Sequence, residues 1–294
     1  IGSYLAKALI KEKFKIIGID NFSTGLRKNV PTDSLLIEGD VSDSKIIKKL
    51  NKYNIDFIFH FAGQSSGEIS FEDPVYDLNT NTKSTLLLLN YAKEKNVKTF
   101  FYASSMSVYG DVCEFASEES ICRPKSFYGV GKLASENYLK IYSNYGIRCI
   151  ALRMFNVYGE NQNLDNLKQG MISIYLSMAI RDKTIIVKGS NERFRDFIEI
   201  NDVISSILFL MELKSEKNFE VFNICTGKKT RVKEILNIIK RNIPYDIQVI
   251  NLNSTPGDQF GIYGNNTKIS KKGWSPKFKL DDGLKNLINK LLDE

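Results

Sequence analysis

Apolar runs and amphipathic segments alternate along the first half of the chain. Three short apolar runs, Lys15–Asp20, Ser34–Gly39 and Asp56–Phe61, have the length and composition of buried strands. A fourth run covers Val97–Ala103, and segments with helical spacing of apolar residues separate the runs. Strands that alternate with helices pair in parallel, so the pattern predicts an α/β fold with a doubly wound parallel sheet.

The chain begins without methionine, directly at an amphipathic segment that carries Tyr4, Leu5, Ala8 and Leu9. A sheet that binds a dinucleotide normally starts with a strand and a glycine-rich turn ahead of its first helix. We therefore expect the first strand to be truncated in this sequence, and we interpret Gly2 as the last glycine of that turn.

A hydroxyl, a phenol and an ammonium group follow the fourth apolar run. Ser105 comes directly after that run, and Tyr128 and Lys132 stand four apart in residues 127–145, a predicted helix. A free tyrosine titrates near ~10, and a neighbouring cation favours its phenolate. Tyr128 is therefore a candidate general base, with Ser105 and Lys132 as its partners.

Tyrosine and lysine four residues apart form a common pattern. Tyr91 and Lys95 repeat it on an amphipathic segment, where the tyrosine is most simply a packing residue. Tyr128 and Lys132 could likewise be a surface pair. The position of Ser105 at the carboxyl end of a predicted strand favours a site, because open α/β sheets bind ligands at that edge.

Asp20 ends the first apolar run. In dinucleotide-binding units a carboxylate at this point bonds the ribose hydroxyls, and it would repel the additional phosphate of NADP. Asp20 therefore favours NAD. Aspartate is also a frequent turn former, so a purely structural role is the alternative.

Charge and composition narrow the class of protein. The net charge of +7 comes from lysines spread over many predicted helices, with no basic and aromatic cluster, so we expect no nucleic-acid partner. Nothing has the pattern of a membrane span or signal peptide, and a reducing cytoplasm is the expected location. The lone histidine and the cysteines lack metal-ligand spacing; they are His60, Cys113, Cys122, Cys149 and Cys225.

Taken in order, these segments resemble the extended short-chain dehydrogenase/reductase superfamily, in its NAD-dependent nucleotide-sugar epimerase/dehydratase branch, which includes UDP-glucose 4-epimerases. The resemblance covers almost the whole chain. The matching segments are Ile1-Gly2-Ser3, Asp20–Gly25, Gly39-Asp40-Val41, His60–Gly63, Asn81 with Thr85, Ser104–Gly110, Tyr128–Lys132, Leu152–Gly159, Arg195–Asp202 and Phe222–Gly227.

The resemblance implies a role for each matching residue. Ser105, Tyr128 and Lys132 would be the catalytic residues. The implied NAD-binding residues are Gly2, Asp20, Asn21, Ser23, Gly25, Asp40, Val41, Phe61, Ala62, Gly63, Asn81, Ser104 and Phe155, with Tyr128 and Lys132. The implied substrate-binding residues are Ser65, Ser105, Asn156, Arg195 and Asp258. Asn156 could instead be a turn residue, and Arg195 a surface ion pair.

The two residues that directly follow the catalytic serine distinguish the reactions of this branch. The sugar 4,6-dehydratases that this chain resembles carry Asp-Glu there, whereas this chain has Met106 and Ser107. Ser105, Tyr128 and Lys132 alone are sufficient for oxidising and then reducing one carbinol. The resemblance therefore implies a 4-epimerase that acts on a nucleotide-diphosphate sugar through a transient keto-sugar. A keto-sugar reductase, a dehydratase and a non-catalytic Rossmann module that binds NAD or RNA are the alternatives.

The chain departs from the pattern at two positions. Thr255 stands before Pro256-Gly257-Asp258 where such enzymes often have an arginine, and Ser65 stands where UDP-galactose epimerases often have a lysine. The sugar and the carbon that is epimerised therefore stay open.

The resemblance also implies two lobes and a homodimer. Residues 1–159 would form the NAD-binding Rossmann domain, to which 194–227 would return. Residues 160–193 and 228–294, which lack an evident alternation of strands and helices, would form the smaller C-terminal substrate-binding lobe.

Overall fold

The computed structural model describes residues 1–111, 115–254 and 259–293. Its helices are α1 (Gly2–Lys11), α2 (Ser44–Lys48), α3 (Gly67–Glu72), α4 (Pro74–Leu78), α5 (Ser84–Glu94), α6 (Phe127–Tyr142), α7 (Met171–Asp182), α8 (Ile200–Glu212), α9 (Val232–Asn242), α10 (Thr267–Ser270) and α11 (Leu280–Asp293). Its strands are β1 (Ile16–Asp20), β2 (Ser34–Glu38), β3 (Phe57–His60), β4 (Thr99–Ser105), β5 (Phe115–Ala116), β6 (Arg148–Met154), β7 (Asn156–Tyr158), β8 (Thr184–Lys188), β9 (Phe194–Arg195), β10 (Phe197–Glu199), β11 (Phe219–Ile224), β12 (Thr230–Arg231), β13 (Gln248–Leu252) and β14 (Tyr263–Gly264).

Parallel strands form the centre of the fold, as the alternating pattern predicts. Four of them lie in the order β11-β6-β4-β3, and β1 pairs with β2 in parallel. The four apolar runs of the sequence correspond to β1 to β4. Strand β11 pairs with β6 at the edge of this sheet.

Helices cover both faces of the sheet because successive strand residues point to opposite sides. Phe100 and Tyr102 pack with Leu88, Leu89 and Leu139 of α5 and α6. On the other face, Phe101, Leu152 and Phe222 pack with apolar residues of α1 and α8, among them Leu5, Leu9, Val203 and Ile207. This arrangement is a Rossmann-type doubly wound sheet.

A separate hydrophobic cluster lies in the C-terminal part of the chain. It joins α7, α9 and α11 around Leu176, Ile185, Ile235 and Leu284. The parallel pair β8 and β13 belongs to the same region. The expectation that residues 160–193 and 228–294 lack alternation is therefore wrong, because the order α7, β8, α9, β13 alternates helix and strand. The lobe boundaries stay a prediction.

Two glycines allow α6 to lie close to the loop after β4 and to the helices before α5. A methyl group on Gly129 would stand 2.6 Å from the carbonyl oxygen of Ser107, and one on Gly131 would stand 3.0 Å from Oγ1 of Thr82. Tyr128, Gly129, Gly131 and Lys132 are all buried in consequence.

Within the described ranges, each helix is too short or too polar to cross a membrane.

Candidate active site

A cavity of about 390 Å³ opens at the carboxyl ends of β3, β4 and β6. Open α/β sheets bind ligands at this edge. Ten of the predicted catalytic, cofactor-binding and substrate-binding residues line the cavity: Gly2, Phe61, Gly63, Ser65, Ser104, Ser105, Tyr128, Lys132, Phe155 and Asn156. The sequence pattern thus brings most of its catalytic and nicotinamide-side candidates together in one place.

Ser105 is the last residue of β4, and its hydroxyl begins the turn that follows. Its Oγ accepts a hydrogen bond from the backbone N–H of Ser107 at 3.2 Å and donates one to the Ser107 hydroxyl at 3.2 Å. The hydroxyl is also a hydrogen-bond partner of Tyr128, an interaction that lowers the tyrosine pKa. Ser105 therefore connects the end of the strand with the phenol on α6.

Tyr128 and Lys132 lie one turn apart on α6, and both are buried. Nζ of Lys132 lies 5.5 Å from the centre of the Tyr128 ring. Burial raises the pKa of Tyr128 to about 12, against the lowering effect of Ser105. The expectation that the neighbouring cation produces a net lowering is wrong for this structure, because removal from water disfavours the phenolate more strongly.

Lys132 has an unusually low affinity for its proton. Burial lowers the pKa of Lys132 to about 8, while the charge of Asp77 acts to raise it. Burial, together with the Lys132 charge, lowers the pKa of His60 to about 3, so the imidazole is neutral near pH 7. The amine therefore titrates in the range where an enzyme works.

A buried carboxylate that sequence reasoning missed lies behind this group. Asp77, on α4, is 1% exposed. Its Oδ1 accepts hydrogen bonds from Nε2 of Gln64 at 2.7 Å and Nδ2 of Asn81 at 3.0 Å. Asn81 also donates to the Gln64 carbonyl at 2.9 Å, and its Oδ1 is buried without a hydrogen-bond partner.

A second buried network supports Ser104. The Ser104 hydroxyl donates to Oε1 of Glu136 at 2.5 Å. Arg153 donates two hydrogen bonds to the same carboxylate, from Nε to Oε1 at 3.0 Å and from an Nη to Oε2 at 2.7 Å. Glu136 follows Lys132 by one further turn of α6, so this ion pair anchors the helix that carries Tyr128 and Lys132.

The predicted adenosine residues gather at the carboxyl ends of β1 and β2. Asn21 donates from Nδ2 to Oδ2 of Asp40 at 3.1 Å, and Oδ1 of Asp20 accepts from the backbone of Phe22 at 2.8 Å. Burial acts to raise the pKa of Asp40, but hydrogen bonds from Ser42 and Asn21 outweigh it and lower the pKa. Ser23, Gly25 and Val41 belong to the same two turns. This patch is separate from the residues that line the cavity.

The predicted substrate residues divide into three groups. Asn156 lines the cavity, and its Nδ2 donates to the Asp196 carbonyl at 3.2 Å. Arg195 is buried outside the cavity wall and donates to the backbone carbonyls of residues 194, 259 and 260. Asp258, with Thr255 to Gly257, lies outside the described residues.

Known proteins share this architecture over nearly their full length. The UDP-glucose 4-epimerase of Thermotoga maritima, crystallised with UDP-glucose, is 30% identical and superposes with a TM-score of 0.94 over 99% of this chain and 95% of its own. The UDP-glucose 4-epimerase of Thermus thermophilus, crystallised with NAD, is 26% identical with a TM-score of 0.92 over 98% and 94%. The human dTDP-D-glucose 4,6-dehydratase is 28% identical over 98% of this chain and 86% of the human protein.

Residues 1–225 match the profile of the family described as NAD dependent epimerase/dehydratase. The matched residues include Ser105, Tyr128 and Lys132, which the structure places around one cavity. The chain therefore belongs to the NAD-dependent epimerase/dehydratase family.

Proposed function

We propose that this protein is an NAD-dependent 4-epimerase of a nucleotide-diphosphate sugar. The observation that carries the proposal is the convergence of Ser105, Tyr128 and Lys132 on a cavity whose neighbouring positions are Met106 and Ser107. The sugar 4,6-dehydratases that this chain resembles carry Asp-Glu at these two positions, and acidic side chains of this kind can act as the general acid and base that remove water. Glu160 also lines the cavity, but its carboxylate is paired with Lys290.

The residues present fit a dinucleotide. Oδ1 of Asn81 is a buried acceptor without a partner, and a methyl group on neighbouring Gly63 would stand 2.5 Å from it. Such an atom is suited to accept a hydrogen bond from a bound ligand. At the other end, Asp20 is exposed and offers a carboxylate to a ribose. We propose that Asn81 and Ser104 lie on the nicotinamide side and Asp20 and Asn21 on the adenosine side.

In the proposed reaction Tyr128 moves the proton of one sugar hydroxyl. NAD, when bound, supplies the hydride acceptor and a positive charge. Ser105 donates a hydrogen bond to the reacting oxygen, and the phenolate of Tyr128 removes its proton as the carbinol becomes a ketone. The keto-sugar turns over in the cavity, and Tyr128 returns the proton to the oxygen on reduction from the other face.

The environment of Tyr128 must change before it can act as this base. Its pKa of about 12 would leave few phenolates near neutral pH. Positive charge favours the phenolate, so the ammonium of Lys132 and the cationic ring of the bound cofactor both lower the energy of the charged form. We expect the pKa of Tyr128 to fall on NAD binding.

Asp20 should make the protein select NAD over NADP. If the carboxylate bonds the ribose hydroxyls, the added phosphate of NADP loses that hydrogen bond and meets a negative charge, a difference of about tenfold or more in affinity. Calorimetry with both nucleotides measures it. Asp20→Asn should narrow the preference, whereas Asp33→Asn, at another exposed acid, should not. Equal affinities in the unaltered protein would mean that Asp20 does not contact the ribose.

For the substrate, we propose that Asn156 and Arg195 contact the diphosphate and that Ser65 lies near the sugar. Asn156 and Ser65 line the cavity. The guanidinium of Arg195 donates to the backbone carbonyls of Gln259 and Phe260, so we propose that it contacts the diphosphate beside these two residues. UDP-glucose, UDP-galactose and their N-acetylated relatives are the first compounds to test, since UDP-glucose binds the Thermotoga enzyme.

The test of the function is turnover by the full-length protein. Supplied with its nucleotide-sugar, the enzyme should equilibrate two epimers without a change in mass and without net formation of NADH. Chromatography that resolves the epimers, run beside mass spectrometry, measures this outcome. A product lighter by water would identify a dehydratase, and stoichiometric consumption of a reduced cofactor would identify a reductase. Binding of NAD without turnover of any nucleotide-sugar would favour a non-catalytic module.

We also propose a homodimer. Exposed apolar side chains lie on the neighbouring helices α4 and α6, with Val75 64% exposed, Leu78 55% and Val130 53%. Apolar side chains that are exposed on two contacting helices are suited to pack against a second copy of the chain in a two-fold arrangement. Light scattering of the purified protein gives the mass of the particle and so tests the assembly.

A further inference from the structure

Asp77 is a buried acid that lies beside the catalytic residues. The proposed mechanism assigns no role to it. It lies on α4, against α6, where Gly131 leaves room for it: a methyl group at Gly131 would stand 3.5 Å from Oδ2 of Asp77. Burial of a carboxylate is costly unless hydrogen bonds and an opposite charge compensate it, so the position of Asp77 behind the residues that line the cavity calls for a cause.

The hydrogen bonds of Asp77 determine how Asn81 is oriented. Nδ2 of Asn81 donates to the Asp77 carboxylate at 3.0 Å and to the Gln64 carbonyl at 2.9 Å. Both partners are acceptors, so the amide cannot be reversed without losing both bonds. Oδ1 of Asn81 is thereby held toward Gly63 and Lys132; Nζ of Lys132 would lie 3.7 Å from a methyl group on Gly63.

The charge of Asp77 acts on Lys132. The other titratable groups around the amine are His60 on β3, Tyr102 on β4 and Tyr128 on α6. Burial lowers the pKa of His60 to about 3 and raises those of Tyr102 and Tyr128, so these groups are neutral near pH 7. Of the charges described around Lys132, Asp77 is the one that stabilises the ammonium form.

We propose that Asp77 is a positioning residue of this site, whose carboxylate fixes the amide of Asn81 and keeps Lys132 charged. The role rests on the proposed function, because it matters only where Lys132 assists Tyr128. In this role Asp77 affects the charge state of the catalytic residues and does not only stabilise the contact between α4 and α6.

The sign of the effect on pH dependence follows from the charges. Burial lowers the pKa of Lys132 to about 8, and Asp77 opposes this lowering. Without the carboxylate, Lys132 loses its proton at a lower pH, so the alkaline limb of the activity profile moves down. Asp77 also raises the pKa of Tyr128, so its loss moves the acid limb down as well. The whole profile should shift toward acid.

Asp77→Asn in the full-length enzyme tests the proposal, because asparagine keeps the size and removes the charge. The pH profile of kcat/KM should move to lower pH by about one unit, which is about a tenfold loss at a fixed pH on the alkaline limb. Glu220→Gln is the matched control: Glu220 is a 5% exposed acid at the opposite, amino end of the sheet, on β11. Its profile should coincide with that of the unaltered enzyme.

A second measurement separates this proposal from the proposed function. Titration of lysine labelled with ¹³C at Cε, with the Lys132 signal identified by its absence from Lys132→Met, reports the Lys132 pKa without turnover. It should be lower in Asp77→Asn than in the unaltered protein. An unmoved Lys132 pKa and an unmoved profile would overturn the proposal even where epimerisation is observed. If neither Asp77→Asn nor Asp77→Ser folds well enough to bind NAD, Asp77 serves the fold and the proposal is likewise overturned.

Discussion

Tyr128→Phe should reduce turnover by roughly 10²- to 10⁴-fold, the usual contribution of a positioned general base. The variant removes one buried hydroxyl and leaves the ring in place on α6, so the loss should appear in kcat. Affinity for NAD should change little, because the other residues assigned to the cofactor are intact. Steady-state assays of the full-length variant, with calorimetry for NAD, measure both quantities.

Tyr91→Phe is the matched control, because Tyr91 stands before Lys95 at the same spacing. Its ring is buried in the core, and its hydroxyl donates to the Leu50 carbonyl at 3.1 Å. The structure confirms it as a packing residue, so its loss should cost only about 1 kcal/mol of stability and leave turnover unchanged. Near-normal turnover in Tyr128→Phe, or an equal loss in both variants, would show that Tyr128 is not the base.

The sheet and the catalytic residues of the cavity could be predicted from the sequence because their signals are local. Strand β4 is an apolar run of ordinary length, and Ser105 is placed by the end of that run. Tyr128 and Lys132 share a face of α6 through helical spacing alone. Parallel pairing then brings the carboxyl ends of the strands to one edge, where these local features meet.

The roles of Asp77 and Glu136 could not be predicted in this way. Each is a single acid within a helical segment, a pattern typical of a solvated face. Asp77 is buried because Gln64 and α6 close over it, and Glu136 because Arg153 reaches it from β6. Such burial depends on residues distant in the chain, which no periodicity records. Gly131, which lies directly before Lys132 and five residues before Glu136, is the local sign that α6 is closely packed.

The sequence also predicts the wrong direction for the pKa of Tyr128, because it carries no record of burial. The spacing of Tyr128 and Lys132 shows that a cation is near, and a cation lowers the pKa of a phenol. The spacing does not show how far either group is removed from water. Burial penalises the charged form of each, raising the pKa of Tyr128 to about 12 and lowering that of Lys132 to about 8. Without a bound cation Tyr128 is therefore almost fully protonated near neutral pH, and a bound cation would favour its phenolate.

Among the described residues, the buried ion pair of Glu136 and Arg153 is a candidate for a large effect on stability. Its side chains are 4% and 6% exposed, and it has two parallel hydrogen bonds. Removing one partner of a buried pair leaves the other charge without compensation, which typically costs 3–5 kcal/mol, on the order of half of a domain's stability. The pair joins β6 to α6, so the loss would also loosen the helix that carries Tyr128 and Lys132.

Arg153→Met should therefore lower the free energy of unfolding by about 3–5 kcal/mol, as measured by urea denaturation at neutral pH. Arg27→Met is the control, because the ion pair of Arg27 with Glu38 is 62% and 54% exposed, and its loss should cost about 1 kcal/mol or less. The double variant Arg153→Met with Glu136→Leu also removes the carboxylate that has lost its partner. It should therefore recover part of the lost stability. Equal effects of Arg153→Met and Arg27→Met would show that burial does not strengthen this pair.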